Sequence, residues 1–337
     1  SPAENPDKRG GRPVRYWISV LLLIIVLASS FVSSANSAEL GGNFQRGDDS
    51  GVAIGNNMMK PEVVAILCIF ATFVILEILF THFFKKPGQT KGDAVVEVFS
   101  TGALVLLTQP LVLAASGFVT SILAPDAAGA LGTLPIVAQV GLFLLFDDMT
   151  QYWWHRTTHN VKWLYNLHRA HHNAEYLSIR VVYRNNFFYY MLMPGLWFSG
   201  ALIYLGLGWV YAFYIVVKMA VIFGAHSDVR WDEPLYRVKW LSPVMWIVER
   251  VISTPATHSA HHGKYADDGV THYKGNYGNL LFFWDVLFGT ARITRRYPEN
   301  IGVENLDPMN AGEQLFWPLI RSRIPARKRA AASATSD

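Results

Sequence analysis

Ten of the chain's 11 histidines lie between residues 155 and 272, and most of them fall into three clusters. The clusters are His155-x3-His159, His168-x2-His171-His172 and His258-x2-His261-His262, with His226 between the second and third and His272 after the third. On a helix, positions i, i+3 and i+4 share a face, so each cluster presents its imidazoles together. Neutral imidazole is a ligand for Fe, Zn, Cu and Ni. So many histidines exceed the four ligands of a tetrahedral zinc; they are enough for two metal ions with coordination positions left open. A metal-bound histidine usually donates its second ring N–H to a carboxylate or carbonyl, and Asp148, Asp228 and Asp285 are the candidate carboxylates. Asp148 stands two helical turns before His155 on the same face. A lone histidine is more often structural, which is the reading for His82. His272 is open between a ligand and a hydrogen bond to the chain's tail.

Other chemistries lack their residues. There is no His-Glu-x-x-His for a zinc protease, no Gly-x-Ser-x-Gly elbow, no P-loop and no Gly-x-Gly-x-x-Gly. One cysteine, Cys68, rules out an intrachain disulfide.

The elements that hold the histidines read as membrane helices. Apolar residues make up 51% of the chain and charged residues 16%, against about 25% charged in soluble domains; the mean hydropathy is +0.21. The first apolar run, Trp17 to Val32, follows Lys8, Arg9, Arg12 and Arg15 and reads equally as an anchor or a cleavable signal peptide. Val63 to Phe84, Val95 to about Leu113, and Ile136 to Trp154 are further expected spans, with a Gly/Pro-broken apolar stretch from Ala114 to Leu134. Phe187 to Phe223, interrupted at Gly206 and Gly208, reads as a helical hairpin. The expectation is an all-α polytopic membrane bundle with a histidine-rich cap. It divides into an N-terminal segment (1–60), a membrane domain (61–292) and a polar tail (293–337). Basic residues set the orientation: the N-terminus, the Lys85–Lys91 loop, every histidine cluster and the C-terminus fall on the cytoplasmic side. The modest net charge of +4 sits beside the apolar runs and reads as a topology signal, with no nucleic-acid partner expected. Glu77 and Lys218, inside apolar runs, are functional candidates by position; snorkelling is the expectation for Lys218.

The clusters also resemble a known family. Asp148-Met-Thr-Gln-Tyr-Trp-Trp-His155-Arg156-x2-His159, Trp163-Leu-Tyr-x2-His168-Arg-Ala-His171-His172 and Thr254-Pro255-Ala-Thr-His258-Ser-Ala-His261-His262-Gly263 are similar to three successive motifs of the fatty acid hydroxylase, or sterol desaturase, superfamily. Asn276-Tyr277-Gly278, Trp284-Asp285 and Phe288-Gly289-Thr290 resemble its C-terminal signature, so the likeness covers roughly residues 140–290. Where many members carry Arg-x-His-Pro this chain has Arg184-Asn185-Asn186-Phe187, a departure that resembles the alkylglycerol monooxygenase branch and bacterial relatives.

The resemblance implies a pair of iron ions held by the clustered histidines and His226, with O2 as co-substrate and hydroxylation or desaturation of a membrane lipid as the reaction. Neither a cytochrome b5-like His-Pro-Gly-Gly motif nor a flavin site is present, which implies a separate electron donor: a reductase, a ferredoxin or a cytochrome b5-like protein. Arg156, Lys162, Arg169 and Arg180 are the candidate docking surface for it, or else lipid-headgroup contacts. Substrate entry is expected from the bilayer, between spans. The rival readings are a membrane metal transporter and a catalytically inactive relative.

Overall fold

The computed structural model describes residues 60–306 and 309–322; the run Trp17–Val32 and the 1–59 segment lie outside them. The described residues are helical, with two isolated β-bridges and no strand. Three helical stretches are long and apolar enough to cross a membrane by length and composition: Pro61–Phe80, Lys91–Leu123 and Pro194–His226, the last interrupted at Gly206.

Helix α1 (Pro61–Phe80) starts with proline at its first turn, where a missing N–H costs nothing. Leu67, Ile75 and Leu79 point outward, while buried Glu77 faces in and ties the helix end to two loops. Its carboxylate accepts from the amides of Ile179 (2.9 Å) and Asp228 (3.0 Å) and from Ser178 Oγ (2.6 Å). The intramembrane acid is therefore a structural hub.

Helix α2 (Lys91–Ala103) begins at a Thr90/Asp93 capping box. A π-helical stretch, Leu104–Thr108, joins it to α3 (Gln109–Leu123). The break expected after Leu113 begins only at Ala124. Ser116, Thr120 and Ser121 turn their hydroxyls onto carbonyls of Trp197, Ser116 and Phe118, so the polar residues of that stretch are satisfied without ending the helix.

The run from Ile136 forms α4 (Ile136–Phe143), a π-helical stretch Leu144–Met149, and α5 (Thr150–Asn160). It is continuous but does not rank with the three spanning stretches, because Gln139, Asp147, Asp148 and Gln151, all buried, lower the hydropathy of the run. It serves as the bundle's central rod. After α6 (Lys162–His172) and α7 (Phe187–Met191) come α8 (Pro194–Leu202) and α9 (Gly208–His226). Gly206 between them has φ +103°, a left-handed conformation suited to glycine. Gly195 and Lys218 both pack on Asp147; on one straight helix they would lie roughly 35 Å apart. The chain therefore reverses at Gly206, and the expected hairpin is present.

Lys218 does not snorkel. It is buried, ion-paired to Asp147, and that carboxylate also accepts from Tyr214 Oη at 2.6 Å. Two buried charges so placed satisfy each other, which removes the drive to reach the interface.

The remaining elements are short: α10 (Glu233–Tyr236), α11 (Ser242–Val251), α12 (Pro255–His261), α13 (Phe283–Leu287) and α14 (Ala311–Phe316). Residues 309–322 of the polar tail dock on the helical domain. Gln314 accepts from Arg184 Nη2 at 2.9 Å, Glu313 pairs with Arg169, and Trp317 joins the cluster of Leu167, Tyr189 and Leu196.

Candidate metal centre

Nine histidines converge at one end of the bundle. α5 supplies His155 and His159; α6 supplies His168, His171 and His172; the last residue of α9 is His226; α12 and the residue after it supply His258, His261 and His262. They form two adjoining groups. His155, His159, His168, His172 and His261 make one, and His171, His226, His258 and His262 the other; within each, one ring nitrogen per residue lies within 4.8 Å of all the rest.

The hydrogen bonds around the rings fix where the protons are. Nδ1 of His155 is 2.7 Å from the Tyr277 carbonyl, that of His171 3.0 Å from Val181 O, that of His226 2.8 Å from Ile222 O, and that of His261 2.7 Å from Gly275 O. Nδ1 of His168 is 2.8 Å from the Asn185 side-chain oxygen. A carbonyl only accepts, so these Nδ1 atoms carry the proton and each Nε2 presents a lone pair. Yet Nε2 of His155 and His261 are 3.0 Å apart, and Nε2 of His171 and His226 3.4 Å. Two lone pairs at that distance repel unless a cation sits between them. Nitrogens each ~2.1 Å from one ion, at coordination angles of 90–110°, lie roughly 3.0–3.4 Å apart. His159 Nε2 is buried with no partner at all. The donor set therefore fits two metal ions.

Burial makes the rings good ligands by disfavouring the imidazolium form. It pushes His155 down to about 4. His159, His168, His171, His172, His258, His261 and His262 lie well below the ordinary histidine range for the same reason, reinforced by their mutual repulsion when charged. All are neutral near pH 7, as metal binding requires.

None of the three expected carboxylates touches a ligand ring, because backbone carbonyls and one amide take the ring protons. Asp285 acts one step away: it accepts from the amides of Tyr277 (2.9 Å) and Gly278 (2.6 Å) and from Thr290 Oγ1 (2.6 Å), fixing the loop whose carbonyl meets His155. Asp148 clamps the same loop from below, accepting from Leu281 N (3.1 Å) and Trp284 Nε1 (2.8 Å). Asp228 stands apart, paired with Lys86 at 2.6 Å. His272 belongs to neither group; its Nε2 lies 3.2 Å from the Thr290 carbonyl.

Sequence reasoning passed over the residues that orient the rings. Asn276 adopts φ +56°, a left-handed conformation that asparagine tolerates. Its side-chain nitrogen donates to Thr257 O (2.9 Å) and its side-chain oxygen accepts from Arg292 N (2.7 Å). The turn aims the Gly275 and Tyr277 carbonyls at His261 and His155 from either side. At Gly275 a Cβ would meet His272 Nε2 at 2.1 Å and Thr290 O at 2.4 Å, so only glycine fits. Asn185 occupies the place where the motif departs from its relatives, and that departure was the available signal. The third cluster is set by Thr254 and Thr257, which cap α12, and by Asp232 Oδ2, which accepts from Ala256 N at 2.9 Å.

Of the four basic residues expected to form a docking surface, Arg169 pairs with Glu313 and Arg180 with Glu97, Arg156 meets Tyr152 Oη and the Trp153 ring, and Lys162 is exposed.

With this geometry in hand, the comparisons with known proteins agree. Residues 140–290 match the fatty acid hydroxylase family, the stretch that holds all nine histidines. Alkylglycerol monooxygenase of Danio rerio is 30% identical over 156 residues, covering 44% of this chain and 29% of that protein. The human alkylglycerol monooxygenase is 26% identical over 145 residues, covering 42% and 28%. Very-long-chain aldehyde decarbonylase GL1-8 of Oryza sativa subsp. indica is 25% identical over 193 residues, covering 50% and 59%. Through this segment the chain is similar to the fatty acid hydroxylase family. It spans under a third of the length of the alkylglycerol monooxygenases it matches. No solved structure matches significantly.

Proposed function

We propose that the protein is an integral membrane oxidoreductase that uses two iron ions and O2 to hydroxylate a C–H bond of a membrane lipid. The observation that carries this reading is the convergence of nine neutral histidines in two adjoining groups, five of them with an unprotonated Nε2 turned into the cluster. The name of the matched family and the oxygenase and decarbonylase relatives support lipid as substrate.

The ligand set is His155, His159, His168, His172 and His261 for one ion and His171, His226, His258 and His262 for the other, leaving His272 out. When bound, the iron pair supplies O2 activation: one oxygen atom enters the C–H bond and the other leaves as water, with two electrons and two protons from a separate donor. The protein's share is to hold the rings. The Gly275, Tyr277, Val181 and Ile222 carbonyls and Asn185 keep five Nδ1 protons outward, so that five Nε2 atoms face the metals. Asp285 and Asp148 keep the 276–284 loop still. A cavity of about 300 Å³ reaches His159 and His172 from the rim formed by Tyr273, Lys274 and Asn305. Those rim residues lie outside the spanning helices, so this path favours access from the polar face over the expected entry between spans. By the positive-inside rule that face is cytoplasmic.

Lipid mass spectrometry of cells with and without the chain tests the reaction. Gain of one oxygen atom in a lipid class is the expected result, and loss of two hydrogens would mark the desaturase alternative. No change in any lipid, from a metal-loaded protein, would contradict the reading.

A further inference from the structure

Helix α11 is turned inside out for a water-exposed element. Val244, Trp246, Ile247 and Val251 face outward, with Ile247 56% exposed, and Trp240 just before the helix is 77% exposed. The face turned into the protein holds Met245 and the charged Glu249, which is bound by Arg295 at 2.8 Å and Arg250 at 3.1 Å. Helix α13 does the same on a smaller scale: Phe283, Val286 and Leu287 are exposed while Trp284 and Asp285 are buried.

The depth of these helices says what covers them. The Ser253 amide, just past α11, donates to Leu280 O at 3.2 Å, and Ile252 bridges to Leu281. Leu281 and Trp284 in turn bind Asp148, which lies about 10 Å further along the central rod than His155, away from the metal end. Leu280 packs with Phe143, Leu202 and Tyr214 of the rod and hairpin. Both helices therefore flank the bundle at a level where its other outward side chains are apolar. Basic Arg237, Lys239 and Arg250 border the apolar face, with Arg250 stacked on the Trp246 ring. Tryptophan beside basic residues is the pattern of the headgroup–acyl boundary.

We infer that residues 240–251 and 283–287 are immersed, without crossing, in the lipid leaflet on the histidine side. The metal centre then sits at the level of the lipid headgroups rather than in a cap standing clear of the membrane.

The test uses the full chain, purified with its metal and reconstituted in nanodiscs of phosphatidylcholine and phosphatidylglycerol. In a Cys68→Ser background, single cysteines Ile247→Cys and Leu287→Cys carry a bimane fluorophore. Glu304→Cys at the cavity rim serves as the aqueous reference and Leu67→Cys on α1 as the lipid reference. The expected result is several-fold stronger quenching at 247 and 287 than at 304 by a nitroxide high on the lipid acyl chain, with iodide in water quenching 304 most. Iodide quenching at 247 and 287 equal to that at 304 would overturn the inference. So would protection from both quenchers, which would mean that another protein copy covers the face. Either labelled site alone suffices if the other variant does not fold.

Discussion

At the scale of single residues, the ring orientation of five of the nine ligands is set by one acceptor each, and four of those acceptors are backbone carbonyls. The spacing of the histidines was legible in the sequence, because i, i+3, i+4 geometry is local. The acceptors were not, since a carbonyl leaves no mark on residue identity; of the three carboxylates expected in that role, Asp148 and Asp285 brace the loop instead and Asp228 pairs with Lys86. Replacing Asn185 with Leu removes the oxygen that holds His168 Nδ1. Loss of such a partner typically lowers metal affinity roughly 10–100-fold, and iron titration of the purified variant should show a fall of that size. Asp148→Asn should be milder, because both donors meet the same oxygen, Oδ2, whose place an amide oxygen can take, and the rings are not touched. A less than about tenfold change in iron affinity is expected there, measured by the same titration.

At the scale of elements, the hairpin was readable from Gly206, since an apolar block of that length broken by glycine has few other solutions. The fate of Lys218 was not, because its partner Asp147 comes from a different run and only packing brings them together. Removing one member of a buried pair leaves the other charge uncompensated, a loss of about 3–5 kcal/mol. Lys218→Met should therefore lower the thermal midpoint of the detergent-solubilised protein markedly. Adding Asp147→Leu should restore much of it, and thermal unfolding followed by intrinsic fluorescence will show whether it does. Retained stability in the single variant would mean that the pair contributes little to holding α9 against the central rod.

At the scale of the whole molecule, the helical class and the gathering of the histidines at one end were expected from apolar runs and basic flanks. The packing of residues 309–322 onto that end was not, because polar composition marks a tail without showing what it docks against. The gathered histidines also give the protein a pH dependence with a definite sign. Their folded-state values are depressed, to about 4 for His155, against about 6.5 in the unfolded chain. The metal-free protein should thus keep its full stability above about pH 6.5 and lose it as the pH falls toward 4, where the unfolded chain binds protons that the folded one resists. Unfolding of the metal-stripped protein across that range checks the direction.

The central claim is a two-ion centre built from nine histidines in groups of five and four, and counting iron tests it most directly. Elemental analysis of the purified protein, with Mössbauer spectra of iron-57-enriched samples, should find close to two irons per chain bound through nitrogen. His261→Ala, in the group of five, and His171→Ala, in the group of four, should each lose bound iron along with lipid oxidation. A single metal per chain, or full iron content and normal turnover in both variants, would contradict the account.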